Sequence, residues 1–595
     1  MENIEQKMDI ALDLISKEDF LGAQKELKEI LDKDPQNLEA IKNLGLCEVN
    51  LDNPPEAISL FKKAIEVENE DATSLFYLAS CQSRIGDKDS AIDNFKKVIN
   101  LRPNYLEAYK NLAMIFVENG DVNSAIKTIL EVFQNPEIEP DYSLYYIIAT
   151  CNMLKKDTQN AIIYLEKALS FNEDNLPIVN SLSSCYMNSG QFDKAEKLLI
   201  KAIEKDNENT LTLYNLGILY QAKGEYQKAL SYFQTSYQLE PSTTMLSTLA
   251  NCAMKAGEFA SATVMYKNLV MVYPNNQEYR LAYIEALEEM KHYREALENV
   301  NFLLSLDFKN VELTKKKGSL LRRLGLFEEA VETMQILINR GKIDVEVYYN
   351  LAYSYVELND FDNAKEMFKK CIVLEPENPY AHKDLGVLYL KMNCYDWAVD
   401  EMLEAISLED DVAEFYYSLG VAYMMLSNIQ EGKKALEKAC SLEAGNPDYM
   451  AFLGYAYMID KDFEKAQIIL NKALEIAPDN FLAKSHSAKF YFNQKKYDVA
   501  MQFLQDIIEQ VQDDETMNML GICYLEKKEY DKAIGIFYKL VQIYPKNHIL
   551  LTNLARCEKE CNKTKEAQEH IRQALMIYDD YKDALNLLEE INSGK

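Results

Sequence analysis

The stretch Asn215–Pro241, NLGILYQAKGEYQKALSYFQTSYQLEP, decides how the whole chain is read. Taken alone it resembles a site, with two glycines seven residues apart, a lysine beside the second and an Asn-Leu-Gly triplet. Its alanine, Ala229, points elsewhere. Counterparts run from Ala23, Ala57 and Ala91 through Ala195 to Ala533 and Ala567, with Gly432 filling one gap. The spacing is 34 residues, except 36 before Ala161 and 33 before Ala262 and Ala533, which makes seventeen copies in one register.

With that alanine as position twenty, further columns emerge. Position eight is small in sixteen copies, among them Ala11, Gly45, Gly217 and Gly454, with Ile284 the exception. Position twenty-four is large and apolar, as in Phe61, Phe95, Phe233, Phe368 and Phe537. A proline follows at position thirty-two in seven copies, including Pro35, Pro241 and Pro545. Apolar residues at four, seven, eight and eleven, and again at twenty, twenty-four and twenty-seven, recur with helical period and predict two helices per copy. Small residues at eight and twenty let those helices approach closely. Gly86, Gly120, Gly190, Gly224, Gly257 and Gly325 fall at position fifteen, where the chain must turn. The proline stops the second helix. One copy cannot bury its apolar faces alone, so neighbours must stack.

Leu216-Gly217, Tyr220, Ala229, Phe233 and Pro241 resemble the tetratricopeptide repeat signature, with Leu213 in place of its tryptophan. The resemblance implies an all-α, right-handed α-solenoid superhelix of about seventeen helix-turn-helix units. The expected boundaries are a continuous array over 4–581, then a C-terminal solvating helix and tail over 582–595. The insertion at Asn135–Asp141 is a candidate bend, and 277–344 holds the least regular copies, with Ile284 at position eight and Lys317 in a column otherwise mostly Leu.

Composition narrows the function. The chain of 595 residues carries 27% charged residues and a net charge of −31, so nucleic acid is a poor partner and basic protein segments a better one. Most of that charge is expected on solvated helix faces. The first twenty residues lack a basic start followed by an apolar run, and the densest apolar stretch, Tyr449–Ile459, falls short of the ~20 residues that span a bilayer. A cytoplasmic location and no membrane insertion follow as expectations. No Gly-rich nucleotide loop and no His-Glu-x-x-His occurs, so no cofactor, metal ligand set or catalytic residue is assigned. The five histidines read as surface or groove residues, and Trp397 as a packing residue. Seven cysteines share position ten: Cys47, Cys81, Cys151, Cys185, Cys252, Cys523 and Cys557. Stacked copies stand too far apart for disulfides, so these thiols read as buried small hydrophobes of a reducing compartment. Cys557 and Cys561, one helical turn apart, are the single pair able to oxidise together or share a metal.

On the first helix, positions two, six, nine and thirteen lie opposite the packed face. In tetratricopeptide arrays this side lines the concave groove, so the resemblance implies that ligands bind there. Position six is Asn43, Asn111, Asn215, Asn350 and Asn553 in five copies, similar to the asparagine ladder in the repeat half of O-linked N-acetylglucosamine transferase. No catalytic half accompanies it in this sequence. An Asn there offers a donor and an acceptor to a peptide backbone, or is simply tolerated on an exposed face. The tenth copy, "TKKKGSLLRRLG", sets Lys316 and Arg323 on the groove side with Lys315 and Arg322 flanking. They could hold an acidic peptide, or pair with Glu285 and Glu289 of the ninth copy. Copies eleven to fourteen direct Tyr353, Val387, Val421, Met425, Phe452, Tyr455 and Ile459 toward the groove, flanked by Tyr349 and Tyr417. These form either an exposed apolar patch or contacts between adjacent first helices. The carboxylate clamp of chaperone-binding family members is absent: the corresponding residues are Met8, Leu12, Asn43, Thr73 and Tyr77, one of the five required.

The sequence therefore predicts a non-enzymatic adaptor or scaffold that binds extended or helical protein segments. The alternatives are a substrate-recruiting subunit of an enzyme whose catalytic part is a separate chain, and a self-associating structural subunit, a homodimer like the paired repeat scaffolds of large ubiquitin ligase assemblies.

Overall fold

The computed structural model describes residues 4–342, 344–511 and 513–593. Among them are thirty-five helices and no strand, α1 (Ile4–Ser16) to α35 (Lys582–Ser593). The first thirty-four form seventeen antiparallel pairs, each opened by a helix of 13 residues and closed by one of 13 or 14. The seventh pair, α13 (Thr210–Ala222) and α14 (Tyr226–Leu239), is the opening stretch, and it explains the columns. A Cβ on Gly217 would stand 2.5 Å from Cε1 of Phe233, so the fully buried ring fills the space a side chain would need. Gly454 lies under Leu470 and Gly318 under Met334 in the same way. The alanines at position twenty are buried where the two helix backbones come closest.

Position fifteen is left-handed in every pair, with φ between 57° and 85°. Six of the seventeen turns carry glycine there, and eleven carry other residues such as Glu18, Asp52, Lys156 and Asn359. The amide of Glu225 reaches back past Gly224 to the Tyr220 carbonyl at 2.9 Å, which closes the end of α13. At the other end the Asn209 side chain accepts from the amide of Thr212. Turn and cap together set the helix length.

The chain divides into two compact units, one ending at His292 and the other starting at Tyr293. In the first, the longer connection at 135–141 is packed: Ile138 is buried, and Asn135 donates to the Pro103 carbonyl at 3.0 Å. In the second, α19 (Val311–Arg323) and α20 (Phe327–Asn339) keep ordinary length despite the half-buried Lys317. Helix α35 buries Ala584, Leu587 and Ile591 against the last pair. Residues 594 and 595 of the expected tail lie outside the described residues.

All seven position-ten cysteines are buried, as is Cys371. Burial pushes the thiols of Cys47 and Cys151 up to about 11, and those of Cys523 and Cys557 up to about 12. The folded chain should therefore alkylate first at the partly exposed Cys394 and Cys561, and at the buried eight only on unfolding. Peptide mass mapping after a brief pulse of iodoacetamide checks this; equal labelling at both classes would contradict the packing. Trp397 packs its ring 5.3 Å from Tyr389 while remaining 55% exposed.

Candidate protein-binding face

Positions two, six, nine and thirteen of the first helices make up the face expected to line the groove, and position five borders it, in α13 next to its own partner, where Tyr214 lies 5.5 Å from Phe233. Position five does work that the sequence pattern did not reveal. Lys42 on α3 (Leu38–Asn50) meets Asp71 at 2.9 Å, and Asp71 caps α5 (Ala72–Arg84), the next first helix. Lys110 on α7 (Leu106–Glu118) likewise meets Asp141 at 2.5 Å, the cap of α9 (Tyr142–Leu154). Lys315 on α19 meets Asp344 at 2.9 Å, the cap of α21 (Val345–Glu357). Burial opposes ionisation of Asp71 and Asp344, but their hydrogen bonds, those to Lys42 and Lys315 included, hold both carboxyls below the ordinary range. One carboxylate thus caps a helix and pins it to its predecessor.

In the first unit, Asn43 and Asn111 are half-buried on this face. Asn215 is half-buried too and donates to the buried Asn180 of α11 (Leu176–Asn188) at 2.8 Å; Asn180 in turn donates to the Thr212 hydroxyl at 3.2 Å. Its amide therefore already bridges two first helices.

In the second unit, Asn350 is buried, donating to the Glu346 carbonyl at 3.0 Å and accepting from Nε of Arg322 at 3.1 Å. Of the basic cluster, Lys315 and Arg322, placed as flanking, are the side chains most built into the fold. Burial, with Arg323 beside it, pulls the Arg322 guanidinium below its ordinary value; it lies 5.5 Å over the Tyr353 ring. The Tyr353 hydroxyl donates to Asp384 on α23 (Pro379–Lys391), and Asp384 meets Lys383 at 2.8 Å. Arg323 is exposed over the Tyr293 ring at 5.4 Å, and Lys316 is half-buried. Asn553 is half-buried on α33 (His548–Glu560).

The aromatic candidates converge on a histidine. On α27 (Pro447–Ile459), Phe452 meets His486 edge-on at 4.9 Å and Tyr455 stacks on it at 4.7 Å. Tyr417 of α25 (Ala413–Met425) stacks on Tyr449 at 4.7 Å and meets Phe452 at 5.4 Å. His486 lies on α29 (Phe481–Asn493) and, unlike the surface or groove residue expected, is buried, with neither ring nitrogen hydrogen-bonded. Burial holds its imidazole down to about 3, so it is neutral. Phe452 and Tyr455 are accordingly half-buried by contact between adjacent first helices, while Tyr353, Met425 and Ile459 stay exposed. The neighbouring first helix thus covers some of these side chains and leaves others exposed. His486 and Asp384 occupy position six, so reading that column for every polar residue type would have found them.

Among the described residues no group of three or more His, Cys, Asp and Glu is arranged to hold a metal ion, and no helix is long and apolar enough to cross a membrane.

Models described as tetratricopeptide repeat match residues 14–79, 457–520 and 524–591; 142–175, 345–378 and 413–446; 174–240; and 73–105, together well over half of the chain. BBSome complex member BBS4 of Bos taurus is 25% identical over 256 residues, 40% of this chain and 46% of that one. TPR repeat-containing protein YpiA of Bacillus subtilis (strain 168) is 22% identical over 268 residues, 44% of this chain and 62% of its own. The chain thus spans only about half of these relatives' lengths. The solved structure of Naa15/Naa10 bound to HypK-THB aligns over 99% of this chain and 96% of that one, at 12% identity and a TM-score of 0.31, too low to carry any argument.

Proposed function

The chain belongs to the tetratricopeptide repeat family, and from that premise we propose that it is a non-enzymatic adaptor whose first helices hold protein segments. One observation carries the reading: Tyr353, Met425 and Ile459 are exposed on first helices of a single unit, whose first helices also hold the half-buried Tyr417, Phe452 and Tyr455. Exposed apolar side chains on a chain of net charge −31 suit a segment with apolar anchors and basic flanks. Asn43, Asn111 and Asn553 are the amides best placed for a backbone, whereas Asn215 and Asn350 serve as bridges between helices. Arg323 and Lys316 mark a second contact region, for an acidic group. A cytoplasmic setting accords with the buried free thiols.

The test compares partners captured by the full chain and by its Met425→Glu, Ile459→Glu variant, in which both changes fall on exposed side chains. At least a tenfold loss of every specifically captured protein is expected, as two apolar anchors are replaced by charges. Unchanged capture would refute the proposed face. Recovery of a single enzyme, sensitive to the same variant, would make the chain that enzyme's recruiting subunit.

A further inference from the structure

We propose that the outer face of α14 and α16 (Phe259–Val272) docks a second copy of this chain. The face stands apart by its charge. In a sequence with 27% charged residues, α13 has none, while α14, α15 (Thr243–Lys255) and α16 have one each: Lys228, Lys255 and Lys267. Lys228 is paired with Glu225 at 2.6 Å. Helices α14 and α16 both pack on α15, and Gln227 of α14 reaches the Ala256 carbonyl before α16 at 3.2 Å. On α16, Val264 is 61% exposed, Met271 72% and Val272 68%. Exposed Ser231, Gln234, Thr235 and Gln238 line α14. Other second helices of the same unit carry charge there: α12 (Phe192–Lys205) exposes Asp193, Lys194, Lys197, Lys201 and Glu204.

The occupant that suits this face is a second copy. A two-fold contact brings like surfaces together, so faces of one charge sign repel themselves, whereas amides, each donor and acceptor, and hydroxyls are self-complementary. Two molecules of charge −31 also meet with least repulsion at helices such as α14 and α16, which carry no acidic residue. An axis running between α14 and α16 sets the α16 of each copy on the α14 of the other. Val264, Met271 and Val272 then cover hydroxyl and amide side chains, and Lys267 meets these instead of its own counterpart. Two helices of ~21 Å form a small interface, so association in the micromolar range is expected.

Sedimentation of the full chain over ~1–100 µM tests this. The mass should climb from 68.5 kDa toward twice that value with concentration, and more steeply in ~0.5 M than in ~0.05 M NaCl, because salt screens the net repulsion. The Val264→Glu, Met271→Glu variant, with an unchanged circular dichroism spectrum and Tm, should remain monomeric throughout. Met576→Glu, at an equally exposed position outside the face, should associate like the parent. A parent chain that stays monomeric in both salts, a dimer that weakens with salt, or a double variant that still pairs would each overturn the proposal. The first of these outcomes assigns the face to a different uncharged partner.

Discussion

Replacing Phe233 with alanine is expected to destabilise the first unit by about 3–5 kcal/mol. The ring is fully buried over the bare backbone of Gly217, with Tyr214 tilted beside it at 5.5 Å. Gly217 has no side chain, and the turn at Gly224 fixes the spacing of α13 and α14 at one end. The opposite change, Gly217→Ala, should cost far less. In the third pair Ala79 and Phe95 are buried together, which shows that a ring at position twenty-four can yield to one methyl group. Because each repeat touches only its neighbours, the loss should appear as faster hydrogen exchange in α13 and α14 and next to them, not throughout the unit. Urea unfolding followed by exchange mass spectrometry reads both quantities. A loss below ~1 kcal/mol would mean that the ring does not fill the space above Gly217.

The second large effect depends on pH. His486 has a folded pKa of about 3, against roughly 6.5 in the unfolded chain. Between these values the unfolded chain binds a proton that the folded chain refuses. The stability associated with the neutral ring is therefore complete above ~6.5 and is lost as pH falls toward ~3, at up to ~1.4 kcal/mol per unit. Lys489 on the same helix acts in the same direction as burial, and the groups packed on the ring from α27 are the neutral Phe452 and Tyr455. His486→Phe keeps an aromatic ring in the stack and removes the titration. Relative to the parent chain, this variant should gain ~2–3 kcal/mol between pH 7 and pH 4.5. Taking the difference cancels the titration of the many carboxylates, which both chains share. A difference that does not change with pH would show that the ring is open to water.

Where a column reports contact within one pair, the residues disclosed the structure. Alanine at position twenty, a small residue at eight and a large one at twenty-four describe helices that must touch, and the left-handed turn holds even where Glu18 or Lys156 replaces glycine. Contacts between pairs were harder to read, because each depends on two residues about 34 apart that vary independently. Asn215 is engaged because Asn180 lies beside it on the preceding first helix. The burial of His486 depends on Phe452 and Tyr455 in the preceding copy. Lys315 and Lys316 differ by one residue, about 100° around the helix. That rotation sends Lys315 to the cap of the next helix.

The turns at position fifteen have a consequence for how the molecule breathes. A left-handed backbone costs a residue with a Cβ about 1 kcal/mol relative to glycine, less for Asn and Asp, and eleven of the seventeen turns bear that strain. These eleven sites are a graded set of stabilising substitutions that leave every helix face untouched. Because each repeat touches only its neighbours, strain at one turn weakens its own pair first, and hydrogen exchange is expected to be faster in pairs whose turn carries a side chain than in those whose turn is glycine.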